Sequence, residues 1–141
     1  MSVNILIVDD EEEIREMLVR HFTFLDYNVE MAGNGVEAIQ VLNQKRIDVV
    51  ITDILMPGMN GVELLEHIQN DAPMIHTIVI TGYVTLENAL SCMRLGAESF
   101  IFKPLEDLSE LEEAVKKAED SMKTWQRKLR ELRGLKSTRK E

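Results

Sequence analysis

One cysteine in 141 residues, Cys92, leaves no internal disulfide to be made. Its place in an apolar helical pattern reads as a buried, inert thiol. No apolar run approaches the ~20 residues that cross a bilayer, so no membrane segment is expected. The N-terminus lacks a basic stretch followed by an apolar core and a cleavage site, so no secretory signal is expected either. These features suit the cytoplasm. The three histidines, His21, His67 and His76, have no metal-ligand spacing, and His21 shares a helical face with apolar residues as a packed or half-exposed side chain. A glycine-rich GxxxxGK nucleotide loop, a Ser–His–Asp arrangement and an internal repeat are all missing. The eight methionines read as core filler.

What is present is charge, unevenly placed. The net charge is −9. Residues 1–122 hold 8 basic and 23 acidic side chains, whereas residues 123–141 hold 8 basic and 2 acidic ones. An acidic body of this kind does not bind nucleic acid or anionic lipid unaided. The basic end reads first as a solvated helix face.

Apolar residues alternate between two kinds of segment. Short continuous runs at 3–8, 29–32, 47–52, 77–80 and 99–102 predict strands buried on both faces. Between them lie stripes at helical spacing: Ile14, Met17, Leu18, His21 and Leu25; Val36, Ile39 and Leu42; Val62, Leu65 and Ile68; Leu86, Ala89, Leu90 and Met93. Gly96 closes the fourth as a helix stop, and a fifth helix starts soon after Pro104. Five βα units in succession imply an α/β fold, a parallel sheet with helices on both faces. Ligands of such sheets bind at the carboxyl ends of the strands, near the point where strand order reverses.

Polar residues collect at that edge. The first strand ends in Asp9 and Asp10, the third in Asp53, the fourth in Thr81 and the fifth in Lys103. Three carboxylates, a hydroxyl and an ammonium are a complementary set. Mg2+ takes oxygen ligands, usually one or two carboxylates with waters and phosphate oxygens. Asp10 and Asp53 can supply such a site, with Asp9 through water. A carboxylate can also act as a nucleophile and form an acyl phosphate. Lys103 and Thr81 suit the task of neutralising and aligning phosphoryl oxygens. Glu11, Glu12 and Glu13 complete the acidic run after the first strand. They read as a helical first turn, where negative charge favours the helix dipole.

The ordered set "VDDE", "DILMPGMNG", "ITGY" and "GAESFIFKP" resembles the receiver domain of two-component response regulators over residues 4–118. The resemblance implies a flavodoxin-like, doubly wound sheet of order 2-1-3-4-5. It implies that Asp53 accepts phosphate from a sensor histidine kinase or phosphotransfer protein. Mg2+ would be held by Asp10, Asp53 and the backbone carbonyl of Leu55, with Asp9 assisting. Thr81 and Lys103 would bind the phosphoryl oxygens, Phe100 would be the aromatic switch, and Lys103–Pro104 would be cis. Activation would alter the surface of the fourth helix, fifth strand and fifth helix. Such a protein is a phospho-acceptor with weak self-catalysed phosphotransfer and autodephosphorylation rather than an enzyme. Phe100 replaces the more frequent tyrosine. Leu55 and Tyr83 flank the path of attacking water, so their apolar bulk implies a longer-lived phospho-form.

The fifth helix continues past the receiver. Leu108, Leu111, Val115, Ala118, Met122, Trp125, Leu129 and Leu132 alternate at spacings of three and four, a heptad pattern. Residues 1–122 are therefore read as the receiver and 123–141 as a coiled-coil-like extension with a disordered basic tail beyond Gly134. Met122, Trp125, Leu129 and Leu132 are candidates for contact with a second chain or partner helix. The output would be a partner protein or an effector domain beyond this sequence. The competing reading is a Mg2+-dependent phosphohydrolase with Asp53 as nucleophile. It is disfavoured because Leu55 offers no second acid/base carboxylate.

Overall fold

The computed structural model describes residues 2–139, with side chains described through Gly134. Strands and helices alternate as β1 (Asn4–Val8), α1 (Glu12–Phe24), β2 (Asn28–Ala32), α2 (Gly35–Gln44), β3 (Val49–Thr52), α3 (Gly61–Asp71), β4 (His76–Thr81), α4 (Leu86–Arg94), β5 (Ala97–Phe102) and α5 (Ser109–Arg139). All strand pairings are parallel, and the order is β2-β1-β3-β4-β5. The chain reverses direction across the sheet between β1 and β3, so their carboxyl ends flank the crevice where such sheets bind ligands.

The three central strands are buried on both faces, as their unbroken apolar runs require. One face packs Ile5, Ile7, Val49, Ile51, Ile78 and Ile80 against α1 and the first part of α5. The opposite face packs Leu6, Val8 and Val50 against α2 and α3, and Val79 against Leu65 and Cys92. Each such side chain, fully buried, stabilises the fold by roughly 1.5–3 kcal/mol. β2 and β5 depart from the sequence expectation. They are edge strands with exposed positions, since each has a neighbour on one side only.

Helix starts follow local chemistry. Asn34, Asn60 and Thr85 each accept a hydrogen bond at a helix N-terminus, from Glu37, Glu63 and Asn88 respectively. Gly96 ends α4 with φ +89°, as a helix stop requires. The stripe expected on α3 is inside: Leu65 and Ile68 are buried. The stripe expected on α4 is not. Leu86 is 77% exposed and Met93 62%, while Cys92 is the buried residue. α4 has only one sheet edge to cover, and it turns its other apolar residues outward. Leu25 and Val36 are likewise exposed, while Phe22 and Ala38 fill the core.

α5 divides into two parts. Leu111, Val115 and Ala118 are buried on the sheet, whereas Trp125, Leu129 and Leu132 are exposed. The helix runs through Gly134 to Arg139, so the expected stop at Gly134 is corrected. One glycine does not end a helix unless the chain there turns left-handed, and the positive-φ glycines are Gly58 and Gly96. The last two residues of the expected disordered tail, Lys140 and Glu141, lie outside the described residues.

Candidate functional site

The carboxyl ends of β1, β3, β4 and β5 meet in a cleft of about 230 Å³ lined by Asp10, Glu11, Asp53, Leu55, Thr81, Gly82, Tyr83 and Lys103. Of the residues expected from sequence, Asp10, Asp53, Leu55, Thr81, Tyr83 and Lys103 are thus brought together, with Asp9 beside Asp10 and Asp53. Asp53 follows β3 directly and is 4% exposed. Its Oδ1 accepts from the Leu55 backbone at 3.2 Å, and its Oδ2 accepts from Lys103 Nζ at 2.7 Å. The backbone behind it is fixed by α3: Gly61 donates to the Ile54 carbonyl at 2.8 Å. A Cβ at Gly61 would stand 2.3 Å from the Asp53 carbonyl oxygen, so this close approach needs glycine.

Lys103 follows β5, and its peptide bond to Pro104 is cis. Its ammonium also meets Asp9 Oδ2 at 3.0 Å and Glu11 Oε1 at 2.9 Å. Burial works against the charged ammonium, yet the bonds to Asp53, Glu11 and Asp9 outweigh it and hold Lys103 above the ordinary lysine range. Glu11 is where the sequence reading has to be corrected. Glu12 and Glu13 occupy the first turn of α1 as expected, but Glu11 caps that helix and sends its side chain to Lys103. A carboxylate directly after the two aspartates, at a strand-to-helix turn, was the signal.

Asp9 is fully buried and Asp10 is exposed. Asp9 Oδ1 accepts from the Glu11 backbone at 2.9 Å. Asp9 Oδ2 is buried with no hydrogen-bond partner, although it lies in ion-pair range of Lys103. Burial pushes the Asp9 carboxyl up, against the lowering effects of the Glu11 backbone and Lys103. Ligand oxygens of Asp9, Asp10 and Asp53 lie within 4.8 Å of one another. A hard oxygen set with one orphaned buried oxygen fits a cation such as Mg2+.

Thr81 is buried, and its hydroxyl donates to the Tyr83 carbonyl at 2.8 Å. It is held by the loop after β4 rather than by Asp53. Phe100 is half-buried against the small cluster of Ile54, Leu65, Val79 and Cys92. Phe102, which the sequence reading did not single out, is exposed two residues further along. Leu55 and Tyr83 are exposed at the cleft. Met122 is half-buried, and Trp125, Leu129 and Leu132 lie outside this site along α5.

A parallel sheet of this order, with a buried aspartate and a lysine facing each other over an acidic cleft, defines a receiver domain. The family model for the response regulator receiver domain matches residues 5–116, and the chain belongs to that family. Among relatives, the Regulator of RpoS of Escherichia coli K12 is 39% identical over 111 residues, covering 79% of this chain and 33% of the relative. The response regulator MprA of Mycobacterium ulcerans is 34% identical over 110 residues, covering 77% of this chain and 47% of the relative. The chain spans a third to a half of the length of these two relatives. A CheY-like receiver domain protein of Methanospirillum hungatei superposes with a TM-score of 0.82 at 31% identity, covering 88% of this chain and 99% of that one. The Thermotoga maritima response regulator TrrA, solved in complex with Mg(2+)-BeF, superposes with 0.74 at 34% identity, covering 82% and 98%. Receiver domains are in general signalling phospho-acceptors rather than enzymes. No helix among the described residues is long and apolar enough to cross a membrane.

Proposed function

We propose that this chain is a phosphorylation-dependent switch whose acceptor is Asp53, loaded by a sensor histidine kinase or phosphotransfer protein. The observation that carries this reading is the nearly buried Asp53 carboxylate at the cleft, bonded to Lys103 at 2.7 Å with two more aspartates beside it. An Asp53 oxygen forms a bond to phosphorus as the phosphorus–nitrogen bond of a phosphohistidine breaks. The electron pair stays on the imidazole nitrogen, which takes up a proton. Lys103 neutralises the phosphoryl oxygens through charge-assisted hydrogen bonds. Asp10 and Asp53 would hold Mg2+, with Asp9 and the Leu55 carbonyl assisting, and the ion would supply charge neutralisation at the transferred group.

The read-out begins at Thr81. Its hydroxyl leaves the Tyr83 carbonyl for a phosphoryl oxygen, and the Phe100 ring moves into the space this opens. The surface beyond carries exposed Leu86, Leu90, Met93 and Phe102, and it passes the change to an output protein or effector domain. Trp125, Leu129 and Leu132 continue the signal path along α5, with Met122, by pairing with a second copy of the chain. Light scattering of the phosphorylated and unphosphorylated protein tests that pairing, and a monomer in both states at high concentration would sink it. Leu55 and Tyr83 slow loss of the phosphoryl group by screening it from water. Leu55→Asn and Tyr83→Glu are therefore expected to shorten its lifetime, and unchanged rates would remove this role.

The test of the whole reading is the intact mass after incubation with acetyl phosphate and Mg2+. One retained phosphoryl group per chain is expected. Many turnovers of donor, with no retained group, would favour the Mg2+-dependent phosphohydrolase instead.

A further inference from the structure

Three carboxylates converge on one ammonium. Lys103 Nζ lies 2.7 Å from Asp53, 2.9 Å from Glu11 and 3.0 Å from Asp9. Of its three N–H donors, hydrogen bonds to Asp53 and Glu11 take two, and Asp9 Oδ2 lies in ion-pair range without a hydrogen bond. The three partners are not equivalent. Asp53 is the acceptor itself. Asp9 is fully buried, and without Lys103 its Oδ2 would have no charge partner at all. Glu11 has its side chain 58% exposed, so water can replace Lys103 around it at little cost. Glu11 also lines the cleft into which a phosphoryl group must fit.

We propose that Glu11 is a positioning residue that competes with the phosphoryl group for Lys103 and thereby sets how tightly the site takes a phosphoryl ligand. The inference rests on the acceptor reading above. While Glu11 holds the ammonium, part of its charge is spent on a surface carboxylate. When a dianionic group enters, Glu11 is repelled, and its exposure lets it swing into solvent. The structural duties of Glu11 belong to its backbone: its N–H donates to Asp9 Oδ1 and its carbonyl accepts from Arg15 N–H. Its side chain makes no capping bond to α1, so substitution leaves the start of the helix in place.

Beryllofluoride, a phosphoryl mimic, gives a test that needs no activity. Its affinity in the presence of Mg2+ is measured by calorimetry for the wild type, Glu11→Gln, Glu11→Asp and Glu12→Gln, with melting curves to verify folding. Glu11→Gln removes the competing charge, and Glu11→Asp keeps the charge but is one methylene too short to reach Lys103. Both are expected to bind beryllofluoride about threefold more tightly, the scale of an exposed ion pair. Glu12→Gln, which removes the same charge without touching Lys103, is expected to bind as the wild type does. The proposal is overturned if Glu11→Gln binds as the wild type does. It is equally overturned if Glu11→Asp matches the wild type, or if Glu12→Gln tightens binding to the same degree, because overall charge would then be the cause. Failure of the wild type itself to bind would sink the acceptor reading, and this inference with it.

Discussion

The two ends of the sheet are both rich in polar residues, yet they use them differently. At the amino ends, Asp48 Oδ2 accepts from the Asn4 backbone at 2.9 Å, Asn28 donates to the Asn4 side chain at 3.0 Å, and His76 Nδ1 meets Glu98 at 2.5 Å. Each of these groups ties one strand to its neighbour, and each polar group has its own partner. At the carboxyl ends, three carboxylates share Lys103 and a buried oxygen of Asp9 has no hydrogen bond. Matched pairs fasten a sheet. Crowded like charge facing a cleft costs stability and stays useful only if a ligand relieves it. The difference, rather than polarity at strand ends as such, marks the functional edge.

Asp53→Asn and His76→Gln break this comparison most directly. Asp53→Asn is expected to abolish phosphoryl uptake from acetyl phosphate, measured by intact mass, whereas His76→Gln is expected to leave it unchanged. Next in size is the response to Mg2+. If the carboxyl edge is relieved by a cation, Mg2+ at about a hundred times its dissociation constant stabilises the fold by about 2.7 kcal/mol. Differential scanning calorimetry should show a raised melting temperature, with most of the rise lost in Asp10→Asn and retained in Asp48→Asn.

The smallest effect belongs to the amino edge and its pH dependence. The Glu98 carboxylate raises the His76 pKa above its ordinary 6.5, against the lowering effect of burial. A histidine raised in the folded state contributes stability that is complete below the unfolded value and is lost as pH rises through the folded one. Glu98 is 43% exposed on its side chain, so solvent reduces the contribution to at most about 1 kcal/mol. Urea denaturation of wild type and Glu98→Gln should therefore differ more near about pH 6 than near about pH 8.5. Equal differences at both values would show that the pair carries no pH-linked stability.

Much of this was legible in the sequence because strand ends are anchored by composition. Asp9, Asp53, Thr81 and Lys103 each follow or close an apolar run, so parallel alternation alone carried them to one edge. What periodicity could not tell was which face of a helix turns inward. α3 and α4 both carry apolar stripes, but α3 buries Leu65 and Ile68 while α4 shows Leu86, Leu90 and Met93. A stripe names a face, and only the neighbouring layer decides whether that face is core or contact surface. The edge positions of β2 and β5 were hidden for the same reason. Glu11 was missed because a helix dipole explains an acidic first turn equally well, and the reach of one carboxylate to Lys103, 92 positions away, is a tertiary fact. The heptad spacing of α5 ran unbroken across the place where burial ends, since the same pattern serves a sheet and a second helix.

The claim on which all else depends is that Asp53 carries the phosphoryl group. Borohydride converts an acyl phosphate of aspartate to homoserine, so reduction after loading with acetyl phosphate and Mg2+, followed by peptide mass mapping, marks the modified position. Homoserine at position 53 and nowhere else is the expected result. Conversion at Asp9 or Asp10, or none in a protein that has gained phosphoryl mass, would contradict it.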